Sequence, residues 1–598
     1  MAESITRSDR NKLWRRRFRR RRKAAVELGQ QADQGIEKLL LRRFNRLKVV
    51  RRFVVLWLLL FAGLFLSGVT QLRSLGPYYQ SIQPAPGGIY SEGLVGSFNN
   101  ANPLYANGAA DTAVSRLIFS GLFKYDQQDR LIGDLATSWK LDAKQTTYTV
   151  SLKQGVKWQD GQPFTSADAV FTYKTIQNTE AQSPLFSSWQ DITVSAAGPY
   201  TVIFSLPNPL SSFPYALTNG IIPKHLLATV PPAQLRSANF NTAPVGTGPF
   251  QWRFISVTGG SDTDREQQIT LAPNGGYFAG APNLGGFNIL IYRSDDQMIS
   301  AFEAKQINAM SGLDSVPATL AQDASLQIYH TPLNAIVMAF FNNSSSLLSD
   351  SAVRQALTAG VDRSQLPGIL GYPPNLARGP LLASQISYTK ATSQLSYSPS
   401  QARHLLNKAG WKVGAGGQRF KDGHPLTLSL VSENTPDYEA VNRFLQAQWS
   451  KLGVKIIAAN RSADDLQGNI IPSHGYDILL YGIDIGVDPD VFAYWDSSQA
   501  SADSQGHSNL SEYKSTAANE ALESARTRAS LSNRIPKYNS FLRIWRNDAP
   551  ALALYQPNYL YISRGPVYGF QRKAIDSAAD RFYNADQWMI RQRRQTIN

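Results

Sequence analysis

The sequence predicts a mixed α/β protein of several domains, preceded by a single transmembrane helix. Two observations carry that reading. Phe53–Val69 is an uncharged apolar run, and beyond it helix-period and strand-period patterns interleave to the end of the chain. Extended to Leu72 the run reaches 20 residues, enough at about 1.5 Å per residue to cross a ~30 Å hydrocarbon core. A cleaved signal peptide is the alternative. Its usual basic region is short, whereas 52 residues precede this run and no A-x-A-like site follows it.

Charge is distributed very unevenly. Residues 1–52 hold 18 Lys and Arg against 5 Asp and Glu, a local excess of 13 in a chain whose net charge is +16. The remainder is close to neutral, so the basic isoelectric point does not point to nucleic acid, and no nucleic-acid partner is expected. The Arg15–Lys23 block, followed by Ile36, Leu39, Leu40, Phe44, Leu47 and Val50, reads as a basic helix attracted to anionic inner-leaflet lipid. A basic end of this kind stays in the cytoplasm, which places the C-terminal bulk outside the cell. The chain has no cysteine, which excludes disulfides, thiolate catalysis, cysteine-ligated metals and a lipidated cysteine anchor.

After the apolar run, residues 73–87 are rich in Gly and Pro and read as a linker. Asp111 is placed to cap a helix with an apolar face of Val114, Leu117, Ile118 and Leu122. Tyr148, Val150 and Leu152 alternate with polar residues, as do Tyr200, Val202, Phe204 and Leu206, and both segments read as half-buried strands. Thr165-x-x-Asp168 has the form of a capping box. Ser398, Pro399 and Gln401 open a helix whose stripe is Ala402, Leu405, Leu406 and Ala409, and Gly410 stops it. Gly246-Thr247-Gly248-Pro249 reads as a tight backbone crossing, because a proline cannot donate an N–H to a phosphate.

Catalytic patterns are missing. The six histidines are scattered without metal-ligand spacing, and neither a phosphate loop nor a nucleophile elbow is present. The chain reads as no enzyme, with no cofactor. Asp484, Asp488 and Asp490 cluster in GIDIGVDPD. They could meet a cationic ligand group or cap turns; a metal site lacks the EF-hand glycine and glutamate, and paired acid catalysis is a further alternative.

The stretch from Gly133 to Tyr173 carries Trp139, Tyr148, Lys153, Gly155, Val156, Trp158, Asp160, Gly161, Pro163, Phe164, Thr165 and Asp168 in one order. Ile221–Leu227, Pro244–Gln251, then Asn342, Asp350, Arg354, Ala356, Asp362 and Arg363, and finally Gly486–Gln499 follow. This ordered set, over residues 88–570, resembles the family 5 extracellular solute-binding proteins of ATP-driven importers, which include oligopeptide-, dipeptide- and nickel-binding members. The resemblance implies a type II periplasmic-binding-protein fold: two α/β lobes joined by a hinge, plus an extra domain. Lobe I would comprise 88–118, 236–334 and 547–598, the extra domain 119–235 and lobe II 335–546. The implied function is capture of a peptide or similar small solute and its delivery to an ABC importer permease. A surface receptor or organising protein acting through the basic tail is the alternative.

In peptide-binding members an aspartate three residues before the acidic-Pro pair holds the ligand's amine. Here that count reaches Ile485, one place from Asp484. The expected ligand-binding set is Asp484, Tyr481, Trp495 and Asn342, faced by Asn99 and Asn100 from lobe I. Core roles for Tyr481 and Trp495 are the competing reading.

Overall fold

The computed structural model describes residues 51–261, 265–501 and 508–596, together with Arg19, Arg22, Lys23 and Val26. Of the proposed basic helix of the tail only Arg19, Arg22, Lys23 and Val26 are described, and each is helical; the rest lies outside the described residues. The chain divides into two units, one holding the N-terminal segment through Gln83 with the residues from Gln592 on, the other Pro84–Arg591.

In the first unit a helix spans Arg51–Tyr79. Its Arg51–Ser74 portion is long and apolar enough to cross a membrane. The helix continues past the expected boundary at Leu72, and Gln80–Ala85 is a strand paired with Arg591–Thr596. The Gly- and Pro-rich 73–87 segment is therefore mostly regular structure rather than a linker.

The second unit is built on three larger sheets, beside one of three strands and one of two among the described residues. Seven strands form the first, in the order Leu326–Pro332, Asn558–Arg564, Ala309–Ser311, Ile89–Val95, Gly286–Tyr292, Glu266–Pro273 and Phe250–Thr258. Six form the second: Asn375–Leu376, Ala551–Gln556, Ala335–Phe341, Ile478–Asp484, Thr427–Glu433 and Lys455–Arg461. An antiparallel four-stranded sheet, Ala136–Leu141, Thr147–Leu152, Thr201–Ser205 and Thr193–Ala196, makes the extra domain. Because Ala551–Gln556 pairs with Ala335–Phe341, the last lobe I segment starts after Gln556 and not at residue 547. An alternating or apolar run announces a strand but not the sheet it joins.

Local signals carried through where both partners are close in sequence. Thr165 accepts from Ala167 N–H, and Asp168 accepts from Thr165 N–H at 2.9 Å. Ser398 accepts from Gln401 N–H, and the helix runs Pro399–Lys408 with Ala402 and Leu406 buried. The glycine crossing is real: a Cβ on Gly246 would lie 2.0 Å from Ile118 O, and Gly248 N–H donates to that oxygen at 2.7 Å. Asp111 differs from expectation. Gly108 caps its helix, while Asp111 sits in the first turn and accepts from Asn99 N–H at 2.8 Å and Asn100 N–H at 3.2 Å. The carboxylate thus caps the preceding loop instead of its own helix.

The first sheet encloses a buried ion pair. Glu92 is fully buried and accepts from Arg581 Nη2 at 2.6 Å, Arg581 Nε at 2.9 Å and Ser311 Oγ at 2.8 Å. The Arg581 guanidinium also lies over the Phe582 ring at 3.9 Å. These bonds fasten the C-terminal segment to the central strand of lobe I.

Candidate functional site

The chain crosses between the two large sheets at Leu333-Asn334 and again at Pro557. Leu333 N–H donates to Pro557 O at 2.9 Å, and Gln556 Nε2 donates to Leu333 O at 2.7 Å, so the crossings are bonded side by side. Asn334 ties three segments together. Its N–H donates to Ile575 O at 2.8 Å, its Nδ2 to Asp576 Oδ1 at 2.8 Å, and its carbonyl accepts from Ile485 and Gly486 N–H at 2.8 and 3.0 Å.

Just beyond this junction the Ile478–Asp484 strand ends. It runs parallel to Thr427–Glu433, so Asp484 and Glu433 stand at carboxyl ends of neighbouring parallel strands, where ligands of open α/β sheets bind. Asp484 is exposed, and the crowding around its carboxyl strips hydration and raises its pKa. Among the described residues neither Asp484 nor Glu433 has an ion-pair partner. Tyr494 Oη donates to Asp484 O at 2.8 Å, and Gln467 Nε2 donates to Tyr481 Oη at 3.1 Å. Tyr481 and Tyr494 are both half-buried beside the Asp484 carboxylate, with pKa values raised by burial and then by carboxylate charge, Glu433 and Asp484 at Tyr481 and Asp484 at Tyr494. Tyr494 was not among the residues expected from sequence; its place one residue before Trp495 in a short helical turn was the available signal.

Other members of the expected set lie elsewhere. Trp495 is fully buried, 5.8 Å from the Phe340 ring and edge-on to Trp545 at 5.6 Å. It is a core residue of lobe II, packed among Phe340, Leu522 and Trp545 in one apolar cluster. Asn342 lies at the opposite end of its strand from Ala335, the residue that pairs with Asp484, roughly 20 Å away. Its Nδ2 donates to Tyr476 O at 3.2 Å and its Oδ1 accepts from Ser344 N–H at 3.0 Å. Asn99 and Asn100 are held in the Asp111-capped loop, and Asn100 Oδ1 accepts from Asn102 N–H. None of these is brought to Asp484 by a contact among the described residues.

The remaining acids are committed. Asp488 and Arg534 are both buried and form a double hydrogen bond, 2.6 Å to each oxygen. Asp490 accepts from Ser212 Oγ at 3.1 Å and pairs with Arg526 at 3.3 Å. Ser212 belongs to the extra domain, and two further bonds cross the same gap: Ser211 N–H to Arg526 O at 2.9 Å and Ala529 N–H to Gln145 Oε1 at 3.1 Å. Between the two sides lies a cavity of about 470 Å³. Trp139, Tyr148 and Tyr215 line it from the extra domain; Gly486, Val487 and Arg534 line it from lobe II. Among the described residues no cluster of three His, Asp or Glu side chains is arranged to hold a metal ion.

The family model for bacterial extracellular solute-binding proteins, family 5 (middle), matches residues 130–505. The chain belongs to this family. Its members bind solutes and are not enzymes. The family 5 chain is 27% identical over 521 residues to the oligopeptide-binding protein AppA of Bacillus subtilis, spanning 84% of this chain and 93% of AppA. It is 26% identical to the "Probable D,D-dipeptide-binding periplasmic protein DdpA" of Escherichia coli, over 73% of this chain and 81% of DdpA. The structure of B. subtilis AppA in complex with a nonapeptide superposes with a TM-score of 0.66 at 25% identity, covering 85% of this chain and 100% of the solved AppA chain. NikZ of Campylobacter jejuni, in complex with Ni(L-His), shares the fold at a TM-score of 0.68 and 24% identity, over 84% and 99% of the two chains. The two-lobed architecture with an extra domain is thus the family 5 fold.

Proposed function

We propose that this family 5 protein is membrane-anchored through residues 53–72, captures a peptide or a similar amine-bearing solute between its lobes, and delivers it to an ABC importer permease. The observation that carries this reading is the Asp484 carboxylate, set at a strand end beside the inter-lobe crossing without a cationic partner among the described residues. A carboxylate partly stripped of water gains most from a charge-assisted bond to an ammonium group. Tyr481 and Tyr494 supply aromatic walls that tolerate varied side chains. The likeness to AppA, an oligopeptide-binding protein, and to DdpA, a probable D,D-dipeptide-binding protein, supports the same ligand class.

Ligand contacts to both lobes favour the closed arrangement, and the closed form is what a permease would read. The Arg-rich tail remains cytoplasmic beside anionic lipid, and the lobes are extracytoplasmic. The deciding experiment is calorimetric titration of the full chain in nanodiscs with short peptides and their N-acetylated forms. Free-amine peptides bind; N-acetylation and Asp484→Asn each weaken binding by one to two orders of magnitude, the worth of about 1.5–3 kcal/mol for a charged hydrogen bond. Equal affinity for acetylated peptides would remove Asp484 from recognition, and no binding of any peptide would sink the ligand class.

A further inference from the structure

The helix Arg51–Tyr79 does not end where its membrane-spanning portion ends. Ser74 closes the span able to cross a bilayer, and the helix continues to Tyr79, about 8 Å farther along its axis. The headgroup layer on each side of a hydrocarbon core is about 5–8 Å deep. With the apolar span in a membrane, Gln80 therefore begins the following strand at the outer face of the headgroups. Among the described residues that strand, Gln80–Ala85, pairs with Arg591–Thr596 alone, as a two-stranded sheet. Such a ribbon has two open faces and two free edges, and in water it is marginal without a surface to rest on.

Its charge is of one sign. The two strands carry Arg591, Arg593 and Arg594 and no acid. All three are exposed, and among the described residues none has an ion-pair partner. Arg591 lies along Gly87, where an added Cβ would stand 3.2 Å from its Nη1. Arg593 and Arg594 belong to the same unit as the helix. Ile82 on the partner strand is 60% exposed, a cost in water that a headgroup–acyl boundary relieves. We propose that this ribbon is a lipid-contact surface. Arg593 and Arg594 donate to the phosphates of anionic headgroups in the leaflet at the helix's C-terminal end, and Ile82 enters the interfacial layer. A guanidinium binds phosphate through paired N–H donors and keeps its charge at any working pH. The partner is lipid because the chain itself carries the ribbon to the bilayer surface. Both ends of the second unit, Pro84 and Arg591, run into the ribbon, so the contact fastens the solute-binding unit through two chain connections instead of one. This rests on the membrane anchor proposed above and is independent of the peptide ligand.

The test is hydrogen–deuterium exchange of the full chain in nanodiscs of phosphatidylcholine, with and without phosphatidylglycerol. Anionic lipid slows exchange of the ribbon amides by about five- to thirtyfold, the worth of one to two arginines near a charged surface. At about 1 M salt, where the Debye length is about 3 Å, the difference vanishes. Arg593→Gln with Arg594→Gln abolishes the lipid effect, and Arg593→Lys with Arg594→Lys retains it. Because exchange is read at the ribbon itself, lipid bound by the basic tail does not enter the result. Equal exchange in the two lipids, or a lipid effect that survives the double Gln replacement, overturns the contact. Carbonate washing of cell membranes reads the anchor separately. A chain that resists washing but shows no lipid-charge effect overturns the ribbon contact alone, whereas a chain that washes out overturns the anchor and the contact together.

Discussion

Asn334 Nδ2 donates to Asp576 Oδ1 at 2.8 Å, and the same asparagine's carbonyl accepts from Ile485 and Gly486 N–H. One residue at the crossing between sheets thus holds a lobe I carboxyl on one side and the chain leaving Asp484 on the other. Burial pushes the Asp576 carboxyl up to about 6; the Asn334 bond opposes that rise, and the Asp580 and Asp129 charges add to it.

A pH dependence follows from that shift. Below about pH 4 the carboxyl is protonated in both folded and unfolded chains. Between about 4 and 6 the unfolded chain ionises first, so stability falls as pH rises, by roughly 3 kcal/mol in all. Asp576→Asn keeps an acceptor for Asn334 and removes the titration. The difference in Tm between this variant and wild type is near zero at about pH 4, grows in favour of the variant to about pH 6, and is flat above it. Calorimetric scans across that range check it; a difference independent of pH would refute the assignment.

Asp484 predicts a pH effect on binding rather than on folding. Its carboxyl is raised by loss of hydration, and only the ionised form attracts an ammonium group. With the peptide amine fully protonated, affinity therefore falls on further acidification, and the fall begins at a higher pH than for an ordinary surface aspartate. In Asp484→Asn the affinity is lower and nearly level across the same range. Titrations at several pH values in buffers of matched ionisation heat read this directly.

The buried pair Glu92–Arg581 predicts strong asymmetry between single and double replacement. Glu92→Ala leaves a guanidinium buried without its carboxylate and costs about 3–5 kcal/mol, whereas a paired apolar replacement such as Glu92→Met with Arg581→Leu costs much less. Urea denaturation followed by tryptophan fluorescence measures both. Equal losses in the two would mean that packing, and not the ion pair, dominates at this site.

What the sequence revealed and what it hid divide by range. The Thr165–Asp168 box, the Ser398-Pro399 helix start and the glycine crossing at Gly246 were legible because a local geometry demands those residue types. Asp111 was legible as a cap but not as the cap of Asn99–Asn100, since an acid near a helix start has loops on both sides. Asp488 and Arg534 stand 46 positions apart, and the pairing of Asp490 with Ser212 spans 278. No periodicity encodes such distances. The membership of Ala551–Gln556 in the second sheet was hidden for the same reason: pairing is decided by partners elsewhere in the chain.

Trp495 gives the clearest separation of a core role from a binding role. An aromatic beside an acidic motif looks the same in sequence whether it faces a ligand or the interior. Here it is fully buried, stacked near Phe340 and edge-on to Trp545. Trp495→Ala opens a cavity and destabilises lobe II by about 3–5 kcal/mol, while Trp495→Phe costs less by keeping most of the ring contact. In the Phe variant, which keeps the fold, peptide affinity stays within about twofold of wild type. Tyr494→Ala behaves oppositely, because that ring is half-buried beside Asp484 and its hydroxyl donates to Asp484 O. Losing it lowers affinity by about tenfold for a change of only about 1 kcal/mol in folding stability. Paired measurement of Tm and Kd on these variants distinguishes the two roles. A binding loss in Trp495→Phe as large as in Tyr494→Ala would return Trp495 to the ligand site.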